Sequence, residues 1–283
     1  MVERFAVRTV AAGVALLLAA CATGPRVAHE TGQTRFQYPD GETASDTGVA
    51  FSMVAPRLWS ATDDSAPESD TPFADMTRQF RAQARFQVED ADPATNPFQR
   101  RLLETYRPRI EAALDRDIAE LLRSKGFRAD TSSPRFEDLD PDARAKTLLT
   151  TVPTATLAVS REVDERECGG GYCRESGRLR LDGQFLLLVV ESGSGSPVAI
   201  RRMNLHSLGI DEPYVRYTDD ADSDGGAPPG GEEPLRDTTD RALVAVLNRF
   251  YAAAMAEVDR LVSRRQVLAF HDSLRSLESE PAP

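Results

Sequence analysis

Few side chains in this 283-residue chain are of types that do chemistry. There are three cysteines, three histidines and one tryptophan. Cys168 and Cys173 flank Gly169-Gly170-Gly171-Tyr172. The glycines permit a tight turn, and two facing strand ends would bring the sulfurs within bonding distance, so a disulfide is expected. A loop this small gains less from closure than a long one, so the bond mainly fixes the shape of the tip. A structural zinc site needs four ligands, and no histidine or further cysteine lies nearby in sequence. Redox pairs usually have two intervening residues rather than four. The tip sets Tyr172 between Arg166 and Arg174. An aromatic ring with cationic neighbours suits a sugar carboxylate, which makes these three residues the candidate ligand contacts. A solvated loop stapled against proteolysis is the plainer reading of the same residues.

Catalysis finds little support. His29, His206 and His271 fall in a polar N-terminal stretch, an expected strand and an expected final helix. His206 and Ser207, as neighbours on a strand, would point to opposite faces and could not act as a nucleophile–base pair. Gly169-Gly170-Gly171 lacks the lysine and helix of a phosphate loop. No catalytic residue, metal or cofactor is expected, and the chain reads as non-enzymatic.

The third cysteine belongs to Leu18-Ala19-Ala20-Cys21. Glu3, Arg4 and Arg8 flank the start of the segment, and residues 10–18 are uncharged and mostly apolar. That run is too short to span a bilayer comfortably and reads as the core of a secretory signal. With small residues directly before a cysteine, it resembles the lipobox of bacterial lipoproteins. An ordinary cleaved signal followed by a chance cysteine is the competing reading. The resemblance implies a signal peptide over 1–20 and lipidation of Cys21 by a diacylglyceryl thioether plus an acylated amine, of palmitate type. One acyl chain holds a protein marginally and two or more hold it stably. Ala22 stands where an Asp would favour inner-membrane retention, so the outer membrane is the expected destination.

The net charge is −11, and loss of residues 1–20 removes two Arg and one Glu. So acidic a chain repels nucleic acid and anionic headgroups, and no nucleic-acid partner is expected. Export permits disulfides. Residues 21–47 are polar and read as a lipidated N-terminus and flexible tether. Residues 48–280 read as a single α/β domain with flexible insertions near 60–75, which is acidic and Pro-containing, and 218–236, which is rich in Asp, Gly and Pro.

Within that domain, residues 49–55 form an apolar run ending at Pro56, a buried first strand. Phe80, Ala82, Ala84, Phe86 and Val88 alternate with Arg81, Gln83, Arg85 and Gln87. The period of two favours a half-buried strand, although Ala, Arg and Gln are helix formers. Asn96-Pro97 opens a helix that should be interrupted near Pro108 and end at Lys125-Gly126. Residues 127–129 then open a short strand, parallel to the first through a right-handed crossover. A short helix begins near Asp140-Pro141. Residues 156–163, 179–190 and 198–210 read as an antiparallel meander. From about 238 to 277, Leu247, Ala254, Leu261 and Leu268 recur every seven residues in a helix that would extend about 60 Å unbroken. The expected fold is α/β: a mixed, mainly antiparallel sheet with helices packed on it and a long C-terminal helix.

Two segments sharpen this. Residues 203–212 (Met-Asn-Leu-His-Ser-Leu-Gly-Ile-Asp-Glu) precede a Gly-rich loop, and residues 247–260 run Leu-Asn-Arg-Phe-Tyr-Ala-Ala-Ala-Met-Ala-Glu-Val-Asp-Arg. Both are similar to the neuraminyllactose-binding haemagglutinin (HpaA) lipoproteins, and Met53-Val54-Ala55-Pro56-Arg57 and Lys125-Gly126-Phe127 fit the same order. The resemblance implies a surface-displayed outer-membrane lipoprotein of adhesin type with a sialylated-glycan partner. The family's Lys/Arg-rich stretch after the third strand is replaced here by residues 164–175, in which Arg166 and Arg174 stand among four acidic residues. Sialic-acid binding therefore does not carry over with the motif. A periplasm-facing accessory lipoprotein with an envelope-protein partner, assisting envelope or appendage assembly, is the alternative that shares this plan.

Overall fold

The computed structural model describes residues 26–39, 43–60, 73–85, 92–220, 229 and 234–279. The expected signal peptide, Cys21, and most of both expected insertions lie outside them. The chain divides into two compact units: Met1–Thr31, Val163–Gly177 and Tyr214–Asp240 in the smaller, and Gly32–Glu162, Arg178–Pro213 and Arg241–Pro283 in the larger. The elements in chain order are strands β1 (Val27–His29), β2 (Ala50–Met53) and β3 (Arg57–Ser60), then helices α1 (Ala74–Arg85) and α2 (Pro97–Arg101). A π-helical turn, Leu102–Tyr106, leads into α3 (Arg107–Ser124), followed by β4 (Arg128–Ala129) and α4 (Pro141–Lys146). Next come β5 (Leu149–Gly169), β6 (Tyr172–Glu191), β7 (Pro197–Asn204), β8 (Asp211–Asp219) and β9 (Leu235–Asp237), and last α5 (Thr239–Leu261) and α6 (Arg264–Ser279).

The fold is mixed α/β, as the sequence pattern predicts. The main sheet runs β4-β2-β5-β6-β7, with β3 also on β5 and β8 also on β6. The crossover from β2 through α2 and α3 returns in β4, which pairs with β2 in parallel (Ala50↔Arg128, Phe51↔Ala129). The hairpin β5–β6 and the antiparallel pairing of β6 with β7 supply the long antiparallel ladder. Leu149 to Val159 are buried without a break, with Thr150, Thr151, Thr154 and Thr156 among the apolar residues.

The edge of β5 is completed in two ways. β3 pairs with it in parallel from Arg57↔Thr154 to Ser60↔Leu157. Beyond Leu157 the partner is a pair of side-chain amides. Gln99 Oε1 accepts from Val159 N (2.8 Å), and its Nε2 donates to Leu157 O (3.2 Å) and Ser60 Oγ (3.1 Å). Asn96 Nδ2 donates to Val159 O (2.7 Å), while its Oδ1 caps α2 by accepting from Phe98 N and Gln99 N. Both residues are fully buried.

Pro108 stands in the first turn of α3 and cannot donate to the preceding helix. The π turn absorbs that missing bond, so the interruption falls where the proline predicts. α3 buries Ile110, Leu114, Ile118, Leu121 and Leu122 and ends at Gly126 (φ 82°), where a Cβ would lie 2.1 Å from Ser45 O.

Three elements differ from the sequence pattern. The stretch with period-two alternation is helical through Arg85: Ala, Arg and Gln favour helix, and Asp75 adds a favourable charge to its first turn. Phe73, just before α1, packs edge-on against Phe136 (5.4 Å). The long C-terminal helix is broken at 262–263 into α5 and α6. Ser263 and Gln266 have capping-box spacing, and with its amide nitrogen turned toward them Gln266 reaches the carbonyls of Arg260 and Leu261. The third meander strand stops at Asn204. A 3-10 turn, His206–Leu208, and Gly209 (φ 58°) then reverse the chain into β8.

The stretch expected to be a tether is held along part of its length. In the smaller unit β1 pairs with β9 (Val27↔Leu235). In the larger unit Asn248 brackets the strap, accepting from Arg35 N (2.7 Å) and donating to Gln33 O (3.0 Å). Asp117 accepts from Tyr38 N (2.6 Å), and the Phe36 ring meets that of Tyr251 at 5.4 Å. Backbone groups and a lone ring carry these anchors, so composition alone does not reveal them.

Gln99→Leu should leave Val159 N and Leu157 O buried without partners and destabilise the fold by about 2–3 kcal/mol. Asn96→Ala should cost a similar amount, about 1 kcal/mol of it from the lost helix cap. Denaturant midpoints at unchanged slope check both.

Candidate functional site

Each unit carries a candidate arrangement of chemically capable side chains. In the smaller unit it is the β5–β6 hairpin tip. Gly170 and Gly171 both have positive φ (58° and 82°), as a two-residue hairpin turn requires. Cys168 and Cys173 are bonded to each other across it. The bond puts both cysteines on one face of the hairpin. Alternation then sets Arg166 on that face, two residues from Cys168, and Tyr172 and Arg174 on the opposite one. The expected trio is therefore divided. Tyr172 and Arg174 share a face, Arg166 does not, and Arg174 is paired with Glu165 at 3.4 Å. On the cysteine face Tyr214, fully buried, donates to Glu175 Oε1 (2.7 Å). Asp220 arrives from beyond β8: its N–H donates to Gly171 O (2.9 Å), and its Oδ2 lies 3.2 Å from Cys173 Sγ.

In the larger unit a cleft of about 540 Å³ opens along β3. Its chemistry comes from Arg57, Trp59, Arg107 and Glu111, and Ser132 and Pro134 also line it. Pro56 follows β2, so the chain steps and starts again as β3, alternating buried Leu58 and Ser60 with partly exposed Arg57 and Trp59. The Arg57 guanidinium lies 5.9 Å from the centre of the Trp59 ring. Glu111, one turn into α3 from Arg107, accepts from Leu58 N (2.8 Å), standing where the carbonyl of a further strand would stand. Burial holds the Glu111 carboxyl above the usual carboxylate range, and the Leu58 N–H, Arg107 and Arg57 pull it back. Ser132 Oγ donates to Asp115 Oδ2 (2.9 Å). A second, apolar pocket of about 80 Å³ adjoins, sharing Ala55, Arg57, Trp59 and Pro134 and adding Phe73, Phe136 and Val152. Arg135 on its rim is engaged by both oxygens of Asp138.

Nothing in the sequence pattern placed this cleft. One signal was available: the single tryptophan of the chain stands two residues from an arginine, directly after a strand-ending proline. The remaining polar clusters do other work. His206 Nδ1 is 2.8 Å from Asp182 Oδ1, and Asp182 Oδ2 accepts from Ser160 Oγ (3.1 Å), so the carboxylate stands between imidazole and hydroxyl. Ser207 donates to Asn204 O (2.6 Å). His206 and Ser207 lie in the 3-10 turn rather than on a strand and make no contact of nucleophile and base. Asp117, 2 % exposed, accepts from Tyr251 Oη (2.5 Å) and Arg116 Nε (2.6 Å). Burial and that carboxylate hold the Tyr251 phenol above its ordinary range. Among the described residues no helix is long and apolar enough to cross a membrane.

Fold and cleft together define a mixed α/β domain with an aromatic and cationic surface recess. No family model matches the chain, and no curated protein matches it in sequence. In structure it is similar to a protein described as a neuraminyllactose-binding hemagglutinin homolog from Helicobacter pylori, with a TM-score of 0.54 and 14% identity. The match covers 86% of this chain and 99% of that one, and it shows a shared fold.

Glu111 supplies a pH test of the cleft. Its raised folded-state pKa means that the native chain holds this proton where the unfolded chain has lost it. Its contribution to stability is therefore present at low pH and is lost as pH rises through the folded-state value. Glu111→Gln keeps an acceptor for Leu58 N and should become more stable relative to the parent as pH rises from the carboxylate range to neutrality. Paired denaturation curves across that range measure the difference.

Proposed function

We propose that this protein is a lipid-anchored outer-membrane protein of adhesin type that binds host glycans carrying an acidic sugar through the Trp59 cleft. The cleft's side-chain set carries the reading. A sugar ring has an apolar C–H face for Trp59 and hydroxyls for Glu111 and Ser132. Arg57 and Arg107 outnumber Glu111, so the recess favours an anionic ligand, and a planar guanidinium matches a carboxylate in a bidentate pair. The fold shared with a hemagglutinin homolog supports the same class. Lipid at Cys21 would supply the membrane attachment, leaving the domain free to meet glycans. Tyr172 and Arg174, on one face of the hairpin tip, form the rival location, with Arg166 turned away from them.

Two measurements test the reading. Protease added to intact cells should digest the protein while a periplasmic control survives. Protection until permeabilisation would overturn surface display and favour an accessory role in envelope assembly. On surfaces coated with sialylated glycans, Trp59→Ala and Arg107→Ala should each weaken binding roughly tenfold, a loss of about 1.4 kcal/mol, with Tyr172→Ala near parental. Loss in Tyr172→Ala alone would move the site to the tip.

A further inference from the structure

We propose that the hairpin tip, once its disulfide is reduced, holds a thiophilic divalent cation of the zinc class between Cys168, Cys173 and Asp220. The two sulfurs and a carboxylate oxygen of Asp220 all lie within 4.8 Å of one another. Asp220 is 47 residues from Cys173 and is brought there by backbone structure, its N–H bonded to Gly171 O at the turn itself. In the disulfide neither sulfur has a proton to donate, so the carboxylate at 3.2 Å from Cys173 Sγ faces lone pairs there. A cation turns that contact into a ligand set: two thiolates and a carboxylate are donors that zinc takes, and three protein ligands leave one tetrahedral position open for water. Zinc–sulfur bonds of about 2.3 Å place two sulfurs roughly 3.8 Å apart, a separation that side-chain rotation at facing strand positions can reach. Arg166 projects on the cysteine face and offsets the surplus negative charge of the loaded site.

The chemistry balances with a dithiol reductant. Two electrons break the Cys168–Cys173 bond, the reductant closes to a disulfide, and its two protons pass to the cysteine sulfurs. Cation binding then releases both protons to solvent. Sequence spacing missed the site because the third ligand lies beyond β8, far from the cysteines along the chain.

The test uses the full chain in a Cys21→Ser background, which removes the remaining thiol. The protein is reduced with a phosphine, which does not chelate as a dithiol would, and titrated with Co²⁺ as a spectroscopic stand-in. The reduced chain should develop thiolate-to-cobalt charge-transfer absorption saturating at one equivalent and lost on adding Zn²⁺, and the oxidised chain should develop none. Cys168→Ser should abolish the signal. Asp220→Asn, whose fold is checked by formation of the linked Cys168–Cys173 peptide on reoxidation, should weaken binding by about tenfold or more. A reduced chain without charge-transfer absorption would overturn the site. Unchanged affinity in Asp220→Asn would overturn the three-ligand assignment.

Discussion

The larger unit depends on one constraint: the edge of β5 must be satisfied where no strand reaches it. β3 covers residues 154–157, and the side-chain amides of Asn96 and Gln99 take over at Leu157 and Val159. One helical arm therefore does the work of a strand. The same arm reaches back to β3, through Gln99 on Ser60 Oγ and Glu111 on Leu58 N. β3 is consequently fixed on both sides, by β5 on one and by side chains on the other. The Trp59 cleft is the space left where a carboxylate, rather than a full strand, closes that edge.

A second buried polar node has a parallel role. Asp117 sits on the core face of α3 and collects Tyr251 of α5, Arg116 and the backbone of Tyr38. A buried carboxylate is costly unless its lone pairs are taken, and here three donors take them. The result ties α3, α5 and the N-terminal strap together at one atom group. Both nodes replace apolar contact by directional bonds, which specify position more narrowly than area does. The step at Pro56 has the same consequence for the cleft: it offsets β3 from β2, so that Arg57 and Trp59 face outward while Leu58 and Ser60 remain buried.

Much of the architecture was legible because local rules and global packing agree. Asn96-Pro97, Pro108, Lys125-Gly126 and Asp140-Pro141 mark helix ends through backbone chemistry that holds in most contexts. The glycine turn at the tip likewise speaks for itself. Errors came where one local signal met another. Alternation over residues 80–88 competed with the helix propensity of Ala, Arg and Gln, and propensity won in α1. The stripe of α5 continues in register past Leu261, so period alone could not see the break that Ser263 and Gln266 stabilise. The cleft and Asp220 were invisible for a different reason. Each joins residues 45 or more positions apart, and only the folded path brings Arg57 to Glu111 or Asp220 to Cys173.

Trp59 is the single tryptophan of the chain, so its fluorescence reports on the cleft without a label. The most direct measurement is a titration of the purified protein with a soluble sialylated oligosaccharide while indole emission is followed. Stacking of a sugar ring on Trp59 beside Arg57 predicts a saturable change in emission. It also predicts that the midpoint equals that of binding measured independently by calorimetry. Calorimetric binding with the emission unchanged throughout would contradict the cleft as the site.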